Sequence, residues 1–455
     1  MAGSYRTSAF LPLVVHPCTM DSRRVTATAT EATGARLTVP QGAALYIGAV
    51  LGTGVVALPA LAARAAGPAS LVAWLALVLL SIPLAATFAA LGARYPDAGG
   101  VSTYVRYAFG ARASAVVGWC FYFAVPVGAP PAALFAGAYT ASAPGGGKVT
   151  ATVTAFALMA VVTGANLGGL RVSGRLQLGL AGLLVTLLLV ATATSLPHAR
   201  LSNLTPFAPH GWFAVGTAAA LLVWSFAGWE AITHLAADFR RPARDLPRAA
   251  AVAVVVVGVL YLGVAAATVL VLGSAAGTSS APLADLLAIG AGGRAGGAGG
   301  AADAARALAA LAAVLLTLGT MNAYYAGAAK LGAALGRDGA LPAWLAAGSE
   351  AGEVPRRSLA VLSGSAAVSL AAVTLAGVGV RPLVLLTTGC FVLVYALGTA
   401  AAIRLLPKGS TARRMAFVAL VAVAGLLAAT GGYLLWPLAL AAVALGYQRA
   451  FAPSR

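Results

Sequence analysis

Acidic residues are scarce in this chain: 11 of its 455 residues are Asp or Glu, and charged residues of either sign make up 9%. A soluble globular protein carries about a quarter charged residues, so there are too few charges here to cover a soluble fold. Intrinsic disorder is excluded as well, because it requires low hydrophobicity, whereas 60% of these residues are apolar. The composition therefore predicts a protein that crosses a membrane several times.

Cysteine and histidine are also rare. The three cysteines (Cys18, Cys120 and Cys390) have no CxxC spacing, and the four histidines form no HExxH motif. Neither a disulfide framework nor a common zinc site is indicated. We therefore expect no metal site and no cofactor, and we assign no catalytic residues.

Long apolar runs are what the sequence has in abundance. A helix needs about 20 largely apolar residues to cross the hydrocarbon core, and each span must be helical because no water is present there. The sequence thus predicts an all-α polytopic membrane protein. Its twelve predicted transmembrane helices are 41–65, 69–93, 113–141, 150–168, 174–196, 212–237, 247–273, 304–334, 358–377, 382–404, 412–430 and 432–448.

The positive charges fall unevenly on the two sides of these spans. With the N-terminus inside, 23 of the 29 Lys and Arg residues lie in inner segments and 6 in outer ones. Basic residues accumulate on the cytoplasmic side, so we expect a multi-pass protein of the cytoplasmic (inner) membrane with both termini in the cytoplasm. The predicted parts are a disordered cytoplasmic tail (1–40), a helical core in two halves (41–196 and 212–404), and two extra helices with a short tail (405–455).

The first span contains a weak point. Gly52-Thr53-Gly54 lies in mid-membrane, and each Gly costs about 1 kcal/mol relative to Ala inside a helix. This pattern predicts an unwound segment. The alternative is a small-residue packing face formed by Gly48 and Gly52, but the next position of that series is Val56.

The sixth span contains a second weak point. Gly228 interrupts it, and Glu230 is an acidic residue well inside an apolar span. A carboxylate at such a depth costs at least ~2.5 kcal/mol and usually faces a cavity or a partner. The alternative is a carboxylate near the cytoplasmic interface that pairs with an Arg or with His234, four residues further along the same helical face.

The two weak points are five spans apart, which is typical of an inverted five-plus-five repeat whose halves each open with a broken helix. The last two helices are then peripheral additions. Amides at a half-helix N-terminus suit a carboxylate, and free carbonyls suit an ammonium group. An amino acid needs both, so the pattern predicts that substrate class.

Five segments follow one another over nearly all of the chain after residue 40: GlyThrGlyValVal (52–56) with Leu58-Pro59-Ala60, ArgTyrProAspAlaGlyGlyValSerThrTyr (94–104), TrpSerPheAlaGlyTrpGlu (224–230), residues 238–249 and residues 330–342. Together they resemble the amino acid–polyamine–organocation transporter superfamily. Within it, residues 51–55, 126–130 and 234–239 are most similar to bacterial methionine and branched-chain amino-acid exporters. The resemblance implies a permease, a secondary transporter that works by alternating access.

The resemblance also implies roles for single residues. Amides of the first break would bind the substrate carboxylate, and carbonyls just before that break would bind the amino group. The sixth predicted span (212–237) would line the site, with Trp224 as a gate. The implied substrate-binding residues are Val50, Leu51, Gly52, Thr53, Gly54, Trp224, Ser225, Ala227, Asn322 and Tyr324. The implied coupling or gating residues are Glu230, His234 and Tyr325. For Trp224 an interfacial position, and for the two tyrosines plain helix packing, are the alternatives.

The coupling ion stays open between H⁺ and Na⁺. Some relatives place a lysine in helix 5 where others bind sodium, but residues 176–186 contain no lysine. Thr317 and Thr320 in the eighth predicted span (304–334) are candidates for a sodium site, together with backbone carbonyls of the first span. Threonine in a membrane helix usually bonds its own backbone instead.

The substrate is expected to be a neutral, apolar amino acid such as methionine or a branched-chain one, because the first break has no charged side chain near it. Export is the direction we expect, with uptake or antiport exchange by the same architecture as the alternative, and a non-transporting amino-acid sensor as a further one. No nucleophile–base set or nucleotide-binding loop indicates an enzyme, and no ring of polar residues indicates a channel. The expected partners are the amino acid and membrane lipid, not nucleic acid, for a monomer or homodimer.

Overall fold

The computed structural model describes residues 37–451, apart from 97–99, 144–145, 170–173, 231–232, 234–235, 237–238, 294–298 and 350–352. The described residues form α-helices joined by turns and short 3-10 helices. An isolated β-bridge joins Leu37 to Phe239. Residues 1–36, which make up most of the predicted tail, lie outside the described part.

Fifteen α-helices follow one another along the described chain. They are α1 (Val39–Val50), α2 (Gly54–Ala66), α3 (Ser70–Arg94), α4 (Val101–Phe109), α5 (Ala111–Ser142), α6 (Lys148–Leu167), α7 (Gly174–Ser195), α8 (Phe213–Phe226), α9 (Pro242–Leu272), α10 (Pro282–Gly290), α11 (Gly300–Arg337), α12 (Arg356–Leu375), α13 (Arg381–Leu405), α14 (Thr411–Thr430) and α15 (Leu435–Phe451).

Nine helical segments of this described part are long and apolar enough to cross a membrane. Two of them, Gly54–Arg94 and Thr411–Phe451, are 41 residues long, about twice the length that one crossing needs. Each is interrupted by a positive-φ glycine where a helix ends, Gly67 at 62° and Gly431 at 59°. The all-α, multi-pass membrane fold is therefore confirmed, and the count of twelve spans stays a prediction.

The predicted break in the first span is present between α1 and α2. Leu51 has φ −71° and ψ 71°, the geometry of an inverse γ-turn, and the Gly52 amide donates to the Val50 carbonyl at 2.7 Å. The helix resumes at Gly54. Gly48 packs against α7, where an added Cβ would lie 3.3 Å from Ala181. The chain thus has an unwound segment at 51–53 and a packing glycine one turn before it.

The second break follows α8. This helix ends at Phe226, Ala227 is extended with φ −70° and ψ 139°, and Gly228 has φ 124°. A Cβ on Gly228 would lie 2.7 Å from the Ala49 carbonyl oxygen. Two reasons therefore require glycine at position 228: its backbone conformation and the close approach of α1. The two breaks pack directly against each other.

Two short helices lie between the long ones. α4 follows α3, and α10 lies between α9 and α11. Tyr139 on α5 holds α10 in place, because its hydroxyl donates to the Val56 carbonyl on α2 at 2.5 Å and accepts from the Leu283 amide at 3.1 Å. One buried side chain thus links α2, α5 and α10.

We predict that Gly228→Ala destabilises the fold by about 2 kcal/mol, because alanine is strained at this φ and its Cβ would overlap the α1 backbone. The measurement is the melting temperature of the purified protein in detergent. Gly364→Ala on α12 is the control, since a Cβ there meets no atom within 4 Å. Equal melting temperatures for the two variants would contradict the close contact between the breaks.

Candidate functional site

A cavity of about 720 Å³ runs into the helix bundle from one end. We call it the vestibule. Arg106, Lys330 and Asp338 line it and are exposed, so its mouth is open to solvent at the end of the bundle where α4 lies and α11 finishes. Deeper inside, Leu51, Gly228 and Glu230 line it. The vestibule therefore leads from a charged mouth to the two helix breaks.

A smaller cavity of about 70 Å³ adjoins the vestibule. We call it the inner pocket. Ala49, Val125, Thr320 and Tyr324 line both cavities. The remaining lining comes from the first break (Val50, Gly52, Thr53), from α5 (Ala124, Gly128, Ala129, Ala132), from α8 and its break (Trp224, Ala227), from α11 (Met321, Tyr325) and from α13 (Thr387, Phe391). None of these lining residues is Asp, Glu, Lys, Arg or His.

Trp224 forms one wall of the inner pocket, and two glycines make room for its indole ring. A Cβ on Gly54 would lie 2.6 Å from Trp224 Cδ1, and a Cβ on Gly128 would lie 3.1 Å from its Cη2. The ring of Phe135 meets the indole edge-on, with centroids 6.4 Å apart. Trp224 is therefore held between α2 and α5 at the first break, and not at an interfacial belt.

The structure brings most of the predicted substrate-binding residues to the cavities. Val50, Gly52, Thr53, Trp224, Ala227 and Tyr324 line the inner pocket, and Leu51 lines the vestibule. Gly54 and Ser225 line neither cavity, because they pack against each other.

Asn322 also lies away from both cavities. Its side-chain oxygen accepts a hydrogen bond of 2.8 Å from Asn166 on α6, and both residues are buried. Asn166 also donates to the Val162 carbonyl at 2.9 Å. In this conformation Asn322 links α11 to α6.

Glu230 lines the vestibule and closes the second break. Its Oε2 accepts from the Tyr395 hydroxyl of α13 at 2.6 Å and from the Gly228 amide at 3.1 Å. Its backbone carbonyl accepts from the Thr233 hydroxyl at 2.6 Å. The carboxylate therefore satisfies a backbone amide that the end of α8 leaves without a helical partner, and it does so at the wall of an open cavity.

The remaining coupling candidates are divided. Tyr325 and Thr320 line the inner pocket, and the Tyr325 hydroxyl is buried without a hydrogen-bond partner among the described residues. Thr317, one turn before Thr320, lines neither cavity, and its buried hydroxyl also has no described partner. His234 lies outside the described residues.

Sequence reasoning missed several residues around the two breaks. Gly128, Thr387 and Phe391 line the inner pocket, and Tyr261 and Tyr395 hydrogen-bond the breaks from outside it. Residues 126–130 were singled out only by the family resemblance, although their two prolines and one glycine are a signal of a weakened helix. A single tyrosine on an otherwise apolar helix carries no such signal.

Tyr261 on α9 contacts both breaks at once. Its hydroxyl lies 2.8 Å from the Val50 carbonyl oxygen and 2.7 Å from the Ser225 carbonyl oxygen. The ring is fully buried and packs edge-on against Trp74 at 5.3 Å and Phe226 at 5.0 Å. The two carbonyl ends that frame the site are therefore joined through one hydroxyl group.

The chain is similar to known amino acid permeases over most of its length. The amino acid permease family matches residues 37–447. The uncharacterized amino acid permease YecA of Bacillus subtilis is 33% identical over 409 residues, which are 90% of this chain and 94% of that protein. The L-methionine/branched-chain amino acid exporter YjeH of Escherichia coli is 39% identical over 231 residues, 50% of this chain and 54% of the exporter. The branched-chain amino acid permease BcaP of Bacillus subtilis is 28% identical over 49% of this chain and 52% of its own length.

The family match covers both helix breaks and the helices that surround them. Members of such a family transport amino acids and are not enzymes. The chain belongs to the amino acid permease family.

Proposed function

We propose that this permease carries neutral, apolar amino acids across the cytoplasmic membrane by alternating access, and that it works as an exporter. One observation carries the proposal: an inner pocket without a charged lining side chain lies between two helix breaks and adjoins an open vestibule.

The helix ends at the inner pocket suit the two charged groups of an amino acid. α2 begins at Gly54 with its positive dipole end at the pocket, and the first turn contains no acidic residue. Its amides are suited to a carboxylate. α1 and α8 end at Val50 and Phe226, and the carbonyls at these C-terminal ends are suited to an ammonium group. The zwitterion therefore needs no charged side chain.

The apolar wall opposite the breaks determines the substrate side chain. Ala124, Gly128 and Ala132 of α5 and Phe391 of α13 line it. A charged side chain of arginine or glutamate would be buried there without a partner, which is costly. The names of the Escherichia coli exporter and the Bacillus subtilis branched-chain permease support methionine and the branched-chain amino acids as candidates.

The charge distribution supports export as the direction. The vestibule opens beside Arg106 and Lys330, which belong to the segments that the excess of positive charge assigns to the cytoplasm. A carrier in this conformation is open for substrate from the side of these basic residues. Loading from that side is the first step of export.

We predict that proteoliposomes containing this protein carry radiolabelled methionine and leucine, and that efflux of the preloaded substrate exceeds empty-vesicle leak. Arginine and glutamate are the control substrates and should stay at the leak rate. Imposed proton and sodium gradients identify the coupling ion. If no neutral amino acid moves in either direction, the proposed function is wrong.

We predict that Gly128→Ala lowers transport of methionine relative to alanine by about tenfold, because one added methyl group fills part of a small pocket. The new Cβ would lie 3.1 Å from Trp224 and 3.2 Å from Thr387. Gly327→Ala, in the vestibule wall, is the matched control because its Cβ meets open space. An unchanged methionine-to-alanine ratio in Gly128→Ala would show that the pocket does not hold the substrate side chain.

We predict that Glu230→Gln abolishes the pH dependence of the transport rate, because glutamine keeps an oxygen acceptor for Tyr395 but cannot ionise. Tyr395→Phe should keep the pH dependence at a lower rate, since the carboxylate remains and one hydrogen bond is lost. Initial rates across a pH series measure both effects. A wild-type pH profile in Glu230→Gln would restrict this carboxylate to bracing the break.

A further inference from the structure

The Val50 carbonyl has no free acceptor position in this conformation. A carbonyl oxygen has two lone pairs. One accepts from the Gly52 amide at 2.7 Å, and the other faces the Tyr261 hydroxyl at 2.8 Å, whose single proton is shared between this carbonyl and the Ser225 carbonyl at 2.7 Å. A substrate ammonium group that reaches this carbonyl must therefore displace one of these two donors.

Tyr261 is the donor that can leave. The Gly52 amide is fixed in the γ-turn at Leu51, so its release would require the backbone to unfold further. The Tyr261 hydroxyl already has a second acceptor, the Ser225 carbonyl at 2.7 Å, and needs only to rotate toward it. An ammonium group also forms stronger hydrogen bonds than a neutral phenol, because its donor is charged.

The inner pocket is the cavity nearest to this carbonyl, and we place the approach of the ammonium group there. Val50 lines that cavity, whereas Tyr261 lies behind the breaks and lines neither cavity. The ammonium group and the Tyr261 hydroxyl thus reach the same oxygen from opposite sides. Access of the one requires withdrawal of the other.

We propose that the Tyr261 hydroxyl and the substrate ammonium group compete for the Val50 carbonyl, so that substrate binding unties the two helix breaks. Tyr261 is then a positioning residue, which acts through the backbone and does not touch the substrate. In the empty carrier it joins the end of α1 to the end of α8. In the loaded carrier it holds α8 alone, and the first break is free to move.

This competition supplies what coupling requires. A ligand shifts a conformational equilibrium only by the difference between its affinities for the two states. In this conformation the substrate must displace the hydrogen bond from the Tyr261 hydroxyl to the Val50 carbonyl. Once the two breaks have separated, the substrate binds without the free-energy cost of losing that bond. Loaded carriers therefore change conformation faster than empty ones, a conclusion that rests on the proposed transport function.

The test compares Tyr261→Phe with Tyr122→Phe in proteoliposomes. Tyr122 on α5 is a matched control, because its buried hydroxyl donates to a single backbone carbonyl, that of Ser358 on α12, at 3.1 Å. Three quantities are measured for each protein with methionine: KM, the rate of exchange, and the rate of net flux, in which the carrier returns empty.

For Tyr261→Phe we expect KM to fall by about 2- to 10-fold, the range for one buried hydrogen bond, because the competitor is gone. Net flux should rise toward the exchange rate, because the empty carrier is no longer tied. Tyr122→Phe should keep the wild-type ratio of net flux to exchange. A higher KM in Tyr261→Phe, or a net-to-exchange ratio equal to that of Tyr122→Phe, would overturn the proposal.

A second measurement uses the wild-type protein and does not depend on the folding of a variant. Hydrogen–deuterium exchange of the peptide that covers α1, which precedes the amides proposed to hold the carboxylate, should increase when saturating methionine is added. Unchanged or slower exchange in α1 would overturn the proposal. Absence of wild-type methionine flux, by contrast, would count against the transport function itself, so the two failures are distinguishable.

Discussion

Hydrogen bonds to the backbone groups released at the two helix breaks support the centre of this protein. In a membrane each unsatisfied backbone group costs several kcal/mol, and a continuous helix would satisfy these groups by itself. The broken form therefore needs partners from elsewhere. Tyr261 supplies them for the carbonyl ends of α1 and α8, and Tyr395 with Glu230 supplies them for the Gly228 amide. Three side chains on neighbouring segments thus stabilise the two unwound segments against forming continuous helices.

The same arrangement separates two tasks of recognition. In the proposed binding mode the helix ends contact the backbone part of the substrate, which all amino acids share. The substrate side chain would then face α5 and α13, where small residues such as Ala124 and Gly128 line the inner pocket together with Phe391. Changes on α5 or α13 can therefore alter which amino acid fits without disturbing the breaks. The close contacts of Gly54 and Gly228 allow no such freedom in α2 and in the turn after α8.

The sequence was sufficient for the breaks but not for their supports. Gly52 and Gly54 stand out because two glycines around a β-branched residue weaken one apolar helix, and Gly228 stands out because it lies beside Glu230, a carboxylate that is costly in such a span. Tyr261 and Tyr395 are ordinary residues of apolar helices, and their role arises only from packing between segments distant in the chain. Asn322 shows the converse: a polar residue in a membrane helix indicates a partner, but the sequence does not say whether that partner is a substrate or, as here, Asn166.

The bond between Asn166 and Asn322 has a consequence for which parts of the molecule can slide past each other. Two amides buried between helices have no water to replace their bond if the helices separate. α6 and α11 are therefore expected to move together as one rigid body, held by the hydrogen bond between the two buried amides. Relative motion during transport is then expected where α11 lines the vestibule, because there its side chains face an open cavity and not a packed helix.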